Sequence, residues 1–301
     1  MSCSTAIIIL NWNGWEYTQA CLQSLQDEGF PMEDVILVDN GSDDGSPSAV
    51  KSHFPTVQLW INKHNLGFTG GNNVGIRQAL HQGYTYIMLL NNDTEIGPGF
   101  WKPLLKEMEA SRQTAAIQPL IYFLNEKTVL WNAGGKYHSW LGFSQTNLKP
   151  KSKAPYLTDW ITGCAILVRA SVLKEIGLLD ERYFAYFEDV DWSLRMRKAG
   201  YLLKVHPEAV IYHEAGAASK SKNKGEEGFL SPKVHFLNVR NQIFQLRKYC
   251  RHPKYWLSWP VHFLVFGLMV IHFTLKSRKL KRKAVWKGIL AGLNTSLETE
   301  A

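Results

Sequence analysis

The sequence predicts an α/β domain, a mostly parallel sheet with helices on both faces. Three observations carry this. Short apolar runs of strand length alternate with segments of helical spacing through the first half of the chain. Two of the runs, AIIIL at 6–10 and VILVD at 35–39, are apolar almost throughout, as in strands buried on both faces. Polar clusters, NWNG, DNGSDDGS and NNDTE, accompany the ends of three runs. Ligands in such sheets bind beyond the carboxyl ends of the strands.

The elements follow in order. Residues 6–10 form a strand and 15–25 a helix, with apolar residues near helical spacing. Residues 35–39 and 57–61 are the next two strands. Residues 70–82 read as a helix, and YIMLL at 86–90 as a fourth strand ending at Asn91-Asn92-Asp93. A helix is expected over 100–111. The second half is less regular. Residues 131–137 and 165–169 read as strands, and 171–176 as a short helix. Residues 188–199 form a helix stopped by Gly200, and 202–213 hold extended runs around Pro207. SKSKNKGEEG at 219–228 reads as a polar loop, and 234–249 as a helix. Two domains are expected: a catalytic part over 1–250, with halves of about 1–115 and 116–250, and a basic, apolar tail over 251–301.

Charge separates those parts. The 301 residues carry a net charge of +8. Residues 246–301 hold 11 basic and 2 acidic side chains, whereas 1–245 hold 23 and 24. The excess belongs to the tail. Within it, 255–275 (YWLSWPVHFLVFGLMVIHFTL) is uncharged and near the minimum length of a spanning helix. Basic residues flank both of its ends, which a single span would divide between two compartments. An interfacial segment keeps both clusters beside anionic lipid; a buried helix and a true span are the alternatives. Nucleic acid is not an expected partner, because the basic residues flank an apolar run rather than an aromatic-interleaved face. The four cysteines form no CxxC or Cys/His cluster, which argues against a disulfide scaffold or structural zinc. The N-terminus has no basic segment ahead of its apolar run, so a cytoplasmic location is expected for the bulk of the chain.

Several residues suit chemistry. Asp39 ends a strand before a turn; it can accept hydrogen bonds from a base or sugar, or simply form the turn. The glycines of NLGFTGGNN (65–73) allow a backbone to approach a ligand closely, or a tight packing loop. Asp93, at a strand end, suits an oxygen-preferring divalent cation that bridges a diphosphate, with His213 a candidate second ligand. Capping and structural roles are the alternatives. FEDVDW at 187–192 packs three carboxylates into four positions, which favours either a helix N-terminus or a general base with a raised pKa. Arg195 stands four residues after Asp191 and can pair with it.

In their order and spacing these segments resemble glycosyltransferase family 2, inverting enzymes of the GT-A fold, and more narrowly its bacterial rhamnosyltransferase-like branch. The matching pieces are IIILNWNGWEYTQACLQSL, VDNGSDDGS, NLGFTGGNNVGI, MLLNNDTEI, the stretch from DWITGCAILVR to FEDVDWSLRMRKAGY, then VIYHEAG and LNVRNQIFQLRKY. The resemblance implies roles. Asn11, Asn13, Asp39 and Asn40 lie on the nucleotide side, and Gly71 and Asn72 beside the donor. Asn91-Asn92-Asp93 occupies the Asp-x-Asp position, with Asn91 in place of the first acid, Asp93 as metal ligand and His213 completing the site for Mg2+ or Mn2+. Glu188-Asp189 matches the Glu-Asp motif, with Asp189 as the base. Trp160, Thr162 and Gly163 shape the acceptor side.

The function expected from this resemblance is an inverting transfer of a sugar from a nucleotide-diphospho-sugar to a hydroxyl of a lipid-linked glycan, in cell-surface polysaccharide synthesis. dTDP-rhamnose is the donor that the branch suggests; UDP- and GDP-sugars stay open. The enzyme would attach peripherally or monotopically to the inner face of the cell membrane through its tail. A nucleotidyltransferase and a non-catalytic, membrane-attached nucleotide-sugar binder are the alternatives.

Overall fold

A computed structural model describes residues 4–214, 220–225 and 228–297. In chain order the strands are β1 (Thr5–Asn11), β2 (Val35–Asp39), β3 (Gln58–Ile61), β4 (Tyr86–Asn91), β5 (Thr94–Ile96), β6 (Thr114–Phe123), β7 (Leu130–Asn132), β8 (Gly135–His138), β9 (Phe143–Thr146), β10 (Tyr156–Leu157), β11 (Ala165–Arg169), β12 (Leu202–His213), β13 (Lys220–Gly225) and β14 (Gly228–Leu230). The helices are α1 (Trp15–Asp27), α2 (Ser46–His53), α3 (Gly67–His81), α4 (Trp101–Ala110), α5 (Ala170–Ile176), α6 (Glu188–Lys198), α7 (Pro232–Tyr249), α8 (Ser258–Leu275) and α9 (Lys279–Asn294).

The chain divides into two compact units. The first holds residues 1–136, 146–184 and 188–215. Its main sheet runs β10-β12-β6-β11-β4-β1-β2-β3, with β5 on β12 and β7 on β6. The strands β4, β1, β2 and β3 are parallel, as the sequence predicts. The second half mixes directions. β11 is antiparallel to both β4 and β6, whereas β6 and β12 are parallel.

The apolar run of β1 is explained by burial on both faces. Ile7 and Ile9 pack with Cys21, Leu22 and Leu25 of α1 and with Leu104 and Met108 of α4. Ala6 and Ile8 pack in the opposite core with Ile76 and Ala79 of α3 and with Trp192 and Met196 of α6. Alternation along one strand thus supplies two cores.

Several boundaries differ from expectation. The glycine-rich segment is not a loop: α3 begins at Gly67, three residues ahead of the expected start. The strand expected over 131–137 is broken between β7 and β8, where Asn132 Oδ1 accepts the Gly134 N–H at 2.7 Å. β6 and α2 lie where no element was expected. Of the polar loop expected over 219–228, residues 220–225 and 228 are paired strands, and the rest lies outside the described residues.

The second unit holds 137–145, 185–187 and 216–301. Residues 216–250, expected with the catalytic part, therefore group with the tail. α7, α8 and α9 share an apolar core of Val239, Ile243, Phe266, Phe273, Val285 and Ile289. Gly292 permits close packing of α9 on α7, since a Cβ there would lie 2.8 Å from Ile243 Cβ. His262 of α8 lies 2.9 Å from the Leu141 carbonyl, and burial lowers its pKa. α7 also holds 185–187: Asn241 Nδ2 donates to the Ala185 and Tyr186 carbonyls at 2.8 Å each, and Gln245 Nε2 donates to Phe187 O at 3.1 Å. Tyr186 and Phe187 have positive φ, a costly backbone for non-glycine residues that these bonds help to fix.

Candidate active site

The carboxyl ends of the parallel strands gather the first group of polar residues. Asp39, at the end of β2, is fully buried. Its Oδ2 accepts from Asn11 Nδ2 at 2.8 Å, and its Oδ1 from the Ser42 N–H at 2.8 Å. Asn11 Oδ1 accepts from Thr18 Oγ1 at 2.8 Å and from Asn92 Nδ2 at 3.3 Å. Asn92 Nδ2 also donates to Thr18 Oγ1 at 2.9 Å. One network therefore ties the ends of β1, β2 and β4. Thr18 is its centre and was not singled out in the sequence; it lies in the first turns of α1, which follows β1 and brings it back to Asn11 at the end of that strand.

Asn13 adopts φ 50°, a left-handed conformation that asparagine tolerates, and its Oδ1 accepts the Asp43 N–H at 2.9 Å. Trp12 beside it is half exposed.

Asn40 is engaged within the protein through its side chain. Its Nδ2 donates to Asn65 Oδ1 and the Gly67 carbonyl, and its Oδ1 accepts from Asn62 Nδ2 and the Leu66 N–H. That exhausts the capacity of the side-chain amide, which staples 62–67. Gly71 and Asn72 lie within α3 rather than in a loop. A Cβ on Gly71 would run into Leu10, so this glycine lets α3 close onto β1. Asn72 is buried and donates to the Phe68 carbonyl one turn back.

The second group lies at the end of β4 and on β12. His213 Nε2 is 3.1 Å from Asp93 Oδ1 and 3.4 Å from Asn91 Nδ2. Both Asp93 and His213 are buried. Neither Asp93 Oδ1 nor His213 Nδ1 has an aligned hydrogen-bond partner among the described residues. The Trp131 ring stands edge-on to His213 at 4.6 Å between centroids. A buried carboxylate oxygen without a hydrogen bond, beside an imidazole nitrogen, fits a divalent cation that takes its remaining ligands from water and phosphate. Asn91 adds no charge. Among the described residues no group of three or more His, Cys, Asp or Glu side chains is placed to hold a metal ion, so they offer Asp93 and His213 as a pair.

The third group is the acidic turn that opens α6. Asp189 Oδ2 accepts the Gly163 N–H at 3.0 Å, and its Oδ1 the Val190 N–H at 2.8 Å. Burial raises its pKa, and these N–H groups oppose the rise. Glu188 is more enclosed. Burial, and then the charge of Asp189, push its carboxyl well above the usual carboxylate range. Its Oε2 has no hydrogen-bond partner among the described residues. Asp191 is not available for chemistry: it is fully buried and paired with Arg195 Nε at 2.9 Å.

Thr162 and Gly163 stand beside Asp189. The Thr162 N–H donates to Gln118 Oε1 at 3.2 Å, and Gln118 Nε2 to Asn132 Oδ1 at 2.9 Å. Gln118 is a fully buried amide in an apolar strand, a signal visible in TAAIQPLIYF and missed because no strand was assigned there. Trp160 is buried over Gly135, with its Nε1 unpartnered among the described residues.

These groups are linked through adjacent strands. The Asn91 N–H donates to the Cys164 carbonyl at 2.8 Å, one residue from the Gly163 that holds Asp189. The Asp93 end of β4 thus lies beside the segment ahead of β11 that holds Asp189 at the start of α6, all within the first unit.

Comparison with known proteins agrees with this architecture. The chain is similar to the N-acetylglucosaminyl-diphospho-decaprenol L-rhamnosyltransferase of Mycobacterium tuberculosis, with 27% identity over 275 residues that cover 83% of this chain and 85% of the relative. It is similar to the dTDP-rhamnosyl transferase RfbF of Shigella flexneri, with 24% identity over 265 residues, 86% of this chain and 85% of the relative. Its fold matches a Pyrobaculum calidifontis mannosyltransferase solved with GDP-Man and Mn2+, at a TM-score of 0.57 and 12% identity, covering 96% of this chain and 87% of that one. It also matches GalNAc-T7 solved with UDP, GalNAc and Mn2+, at a TM-score of 0.58 and 18% identity; 70% of this chain is covered but only 43% of that longer one. The family model for glycosyl transferase family 2 matches residues 6–177, more than half of the chain. The chain therefore belongs to glycosyl transferase family 2 and is a glycosyltransferase of GT-A fold.

Proposed function

We propose that this glycosyltransferase moves a sugar from a nucleoside-diphosphate donor, dTDP-rhamnose first among them, to a hydroxyl of a lipid-linked glycan, with inversion at the anomeric carbon. The reaction would be one step in building a cell-surface polysaccharide. The observation that carries the reading is the linkage of two unlike centres, the Asp93–His213 pair with its unsatisfied atoms and the raised Asp189 carboxylate at the start of α6, through the Gly163–Cys164 segment beside the end of β4. The donor and acceptor classes are supported by the rhamnosyltransferases that the chain resembles along most of its length.

In this reading Asp189 is the general base. It accepts the proton of the acceptor hydroxyl as that oxygen attacks the anomeric carbon, and the bond from that carbon to the diphosphate oxygen breaks with its electron pair leaving on the diphosphate. The Gly163 and Val190 N–H groups hold the carboxylate in one orientation. Burial and the charge of Asp189 raise the Glu188 carboxyl well above the usual range, which favours its neutral form beside the Asp189 carboxylate. Asp93 and His213 would hold Mg2+ or Mn2+, which supplies positive charge beside the departing diphosphate. Thr162 and Gly163, with Trp160 behind them, would line the acceptor side. Asn11, Asn13 and Asp39, ordered by Thr18 and Ser42, would form the nucleotide side, with Gly71 and Asn72 backing it through α3 and Asn92 joining it to the metal position.

The enzyme would work at the inner face of the cell membrane, attached through residues 251–301. α8 supports this, being long and apolar enough to cross or enter a membrane, with a mean hydropathy of 1.6. The reading is tested with purified enzyme, a panel of dTDP-, UDP- and GDP-sugars with Mg2+ or Mn2+, and a prenyl-diphosphate-linked sugar acceptor. Transfer from one nucleotide sugar, giving the inverted anomer, is expected. Release of pyrophosphate from a nucleoside triphosphate, or retention of configuration, would contradict it.

A further inference from the structure

The second unit carries a surface that the transfer reaction does not use. α8 buries His262, Phe266 and Phe273, which face its own core. Its other side presents Leu264, Leu268, Ile271 and Leu275, spaced four, three and four residues apart and 64%, 56%, 56% and 79% exposed. That spacing makes one apolar stripe along a helix. α9 does the same in another register. Lys279, Lys283, Trp286, Leu290 and Leu293 repeat at intervals of four, three, four and three, and all are exposed. Ala284, Val285, Gly288 and Ile289 form its buried side.

Where α8 meets α9 the surface is a groove of about 720 Å³. Four cations line it, Lys279, Arg282, Lys283 and Lys287, together with Trp286 and Leu290. None of the four cations makes an ion pair among the described residues. The sequence holds no acidic residue between 246 and 297. A soluble protein does not gain from setting unneutralised cations beside exposed leucines and a tryptophan; a headgroup–acyl boundary suits both. Lysine stems reach from apolar surface to phosphate, and tryptophan favours that depth.

We propose that α8 and α9 lie flat on the membrane as a hairpin, and that the groove between them seats the phosphate of an anionic phospholipid. This rests on the membrane attachment proposed above and deepens it: it names the lipid chemistry, the residues and the mode. The helix α8 does not span, because its packed side belongs to the core of the unit. The phosphate comes from lipid, since the same surface presents apolar residues that a free anion would not use.

Co-sedimentation of the full-length protein with vesicles of phosphatidylcholine, with and without phosphatidylglycerol, tests this without any activity measurement. Strong binding only with phosphatidylglycerol is expected, weakened by salt. The double variant Lys283→Ala/Lys287→Ala should lose about 25-fold in affinity, at about fivefold per surface cation. Leu268→Asp should weaken binding to the same vesicles while circular dichroism stays unchanged. Inorganic phosphate at matched ionic strength should not compete. Equal binding to both vesicle types, or competition by phosphate, would overturn the headgroup seat while leaving membrane attachment standing. Failure to bind either vesicle would overturn both. Resistance of cell membranes carrying the enzyme to carbonate extraction would overturn the flat orientation in favour of a span.

Discussion

His213 Nε2 lies 3.1 Å from Asp93 Oδ1, and neither the oxygen nor the other ring nitrogen has an aligned hydrogen-bond partner among the described residues. A buried polar atom left unsatisfied costs about 1–3 kcal/mol. The metal role proposed for this pair, at the carboxyl ends of β4 and β12, accounts for such a cost.

The first expected outcome concerns that pair. Asp93→Ala should abolish metal-stimulated transfer, and His213→Ala should reduce it by about 10–100-fold, the range for weakening a metal site. Both variants should keep the fold by circular dichroism. Titration with Mn2+ in the presence of nucleoside diphosphate measures the loss directly. An Asp93→Ala enzyme with full activity in the presence of chelator would remove the metal role.

Glu188 gives a pH signature. Its folded pKa is raised by burial and by Asp189, so its protonated form is the stable one. The associated stability is complete below the unfolded carboxyl pKa, about 4.3, and is lost as pH rises through the folded value. Glu188→Gln removes that loss. The melting temperature of the variant relative to the wild type should therefore increase with pH across this window. Its transfer rate should stay within about tenfold of wild type, because the amide keeps the size of the side chain and leaves Asp189 in place as the base. A collapse of activity in Glu188→Gln comparable to that in Asp189→Asn would make Glu188 the base.

Gly71→Ala separates packing from ligand contact. The added methyl meets Leu10, so stability should fall by about 1–3 kcal/mol. Nucleotide affinity, measured by calorimetry at a temperature where the variant is folded, should change little. A large loss of affinity with no loss of stability would return Gly71 to the donor surface.

Breaking the Asp191–Arg195 pair should be costly. Asp191 is fully buried, and Asp191→Ala leaves the guanidinium without its carboxylate, which typically costs about 3–5 kcal/mol. Denaturant unfolding reports this. An unchanged midpoint would show that Arg195 finds its compensation in the Ile176 and Leu178 carbonyls, to which it already donates.

The first half of the chain was legible because its signals are local. AIIIL and VILVD are buried on both faces, and such strands show as unbroken apolar runs. Their polar followers mark the binding edge. Asp93, His213 and Asp189 could be named from motif spacing, but not that Thr18 joins Asn11 to Asn92, a relation set by how α1 lies against the sheet. Asn40 shows the converse: its residue type and place suit a ligand, and only the four protein partners around it reveal a structural staple. The start of α3 was obscured because four glycines within 67–75 read as loop, whereas here tertiary packing outweighs their low helix propensity. α9 was read as a basic run because its lysines mask the apolar period beneath them.

The most direct test of the account is the Asp189→Asn variant, assayed for sugar transfer and, separately, for binding of the nucleotide donor. The Gly163 N–H can still bond the amide oxygen, whereas the Val190 N–H loses its acceptor, so circular dichroism is recorded alongside to show that the fold is kept. Transfer should fall by about 100- to 10,000-fold, the range for losing a general base, while donor affinity stays within a fewfold of wild type. Wild-type turnover in this variant would contradict Asp189 as the base and, with it, the mechanism proposed for this site.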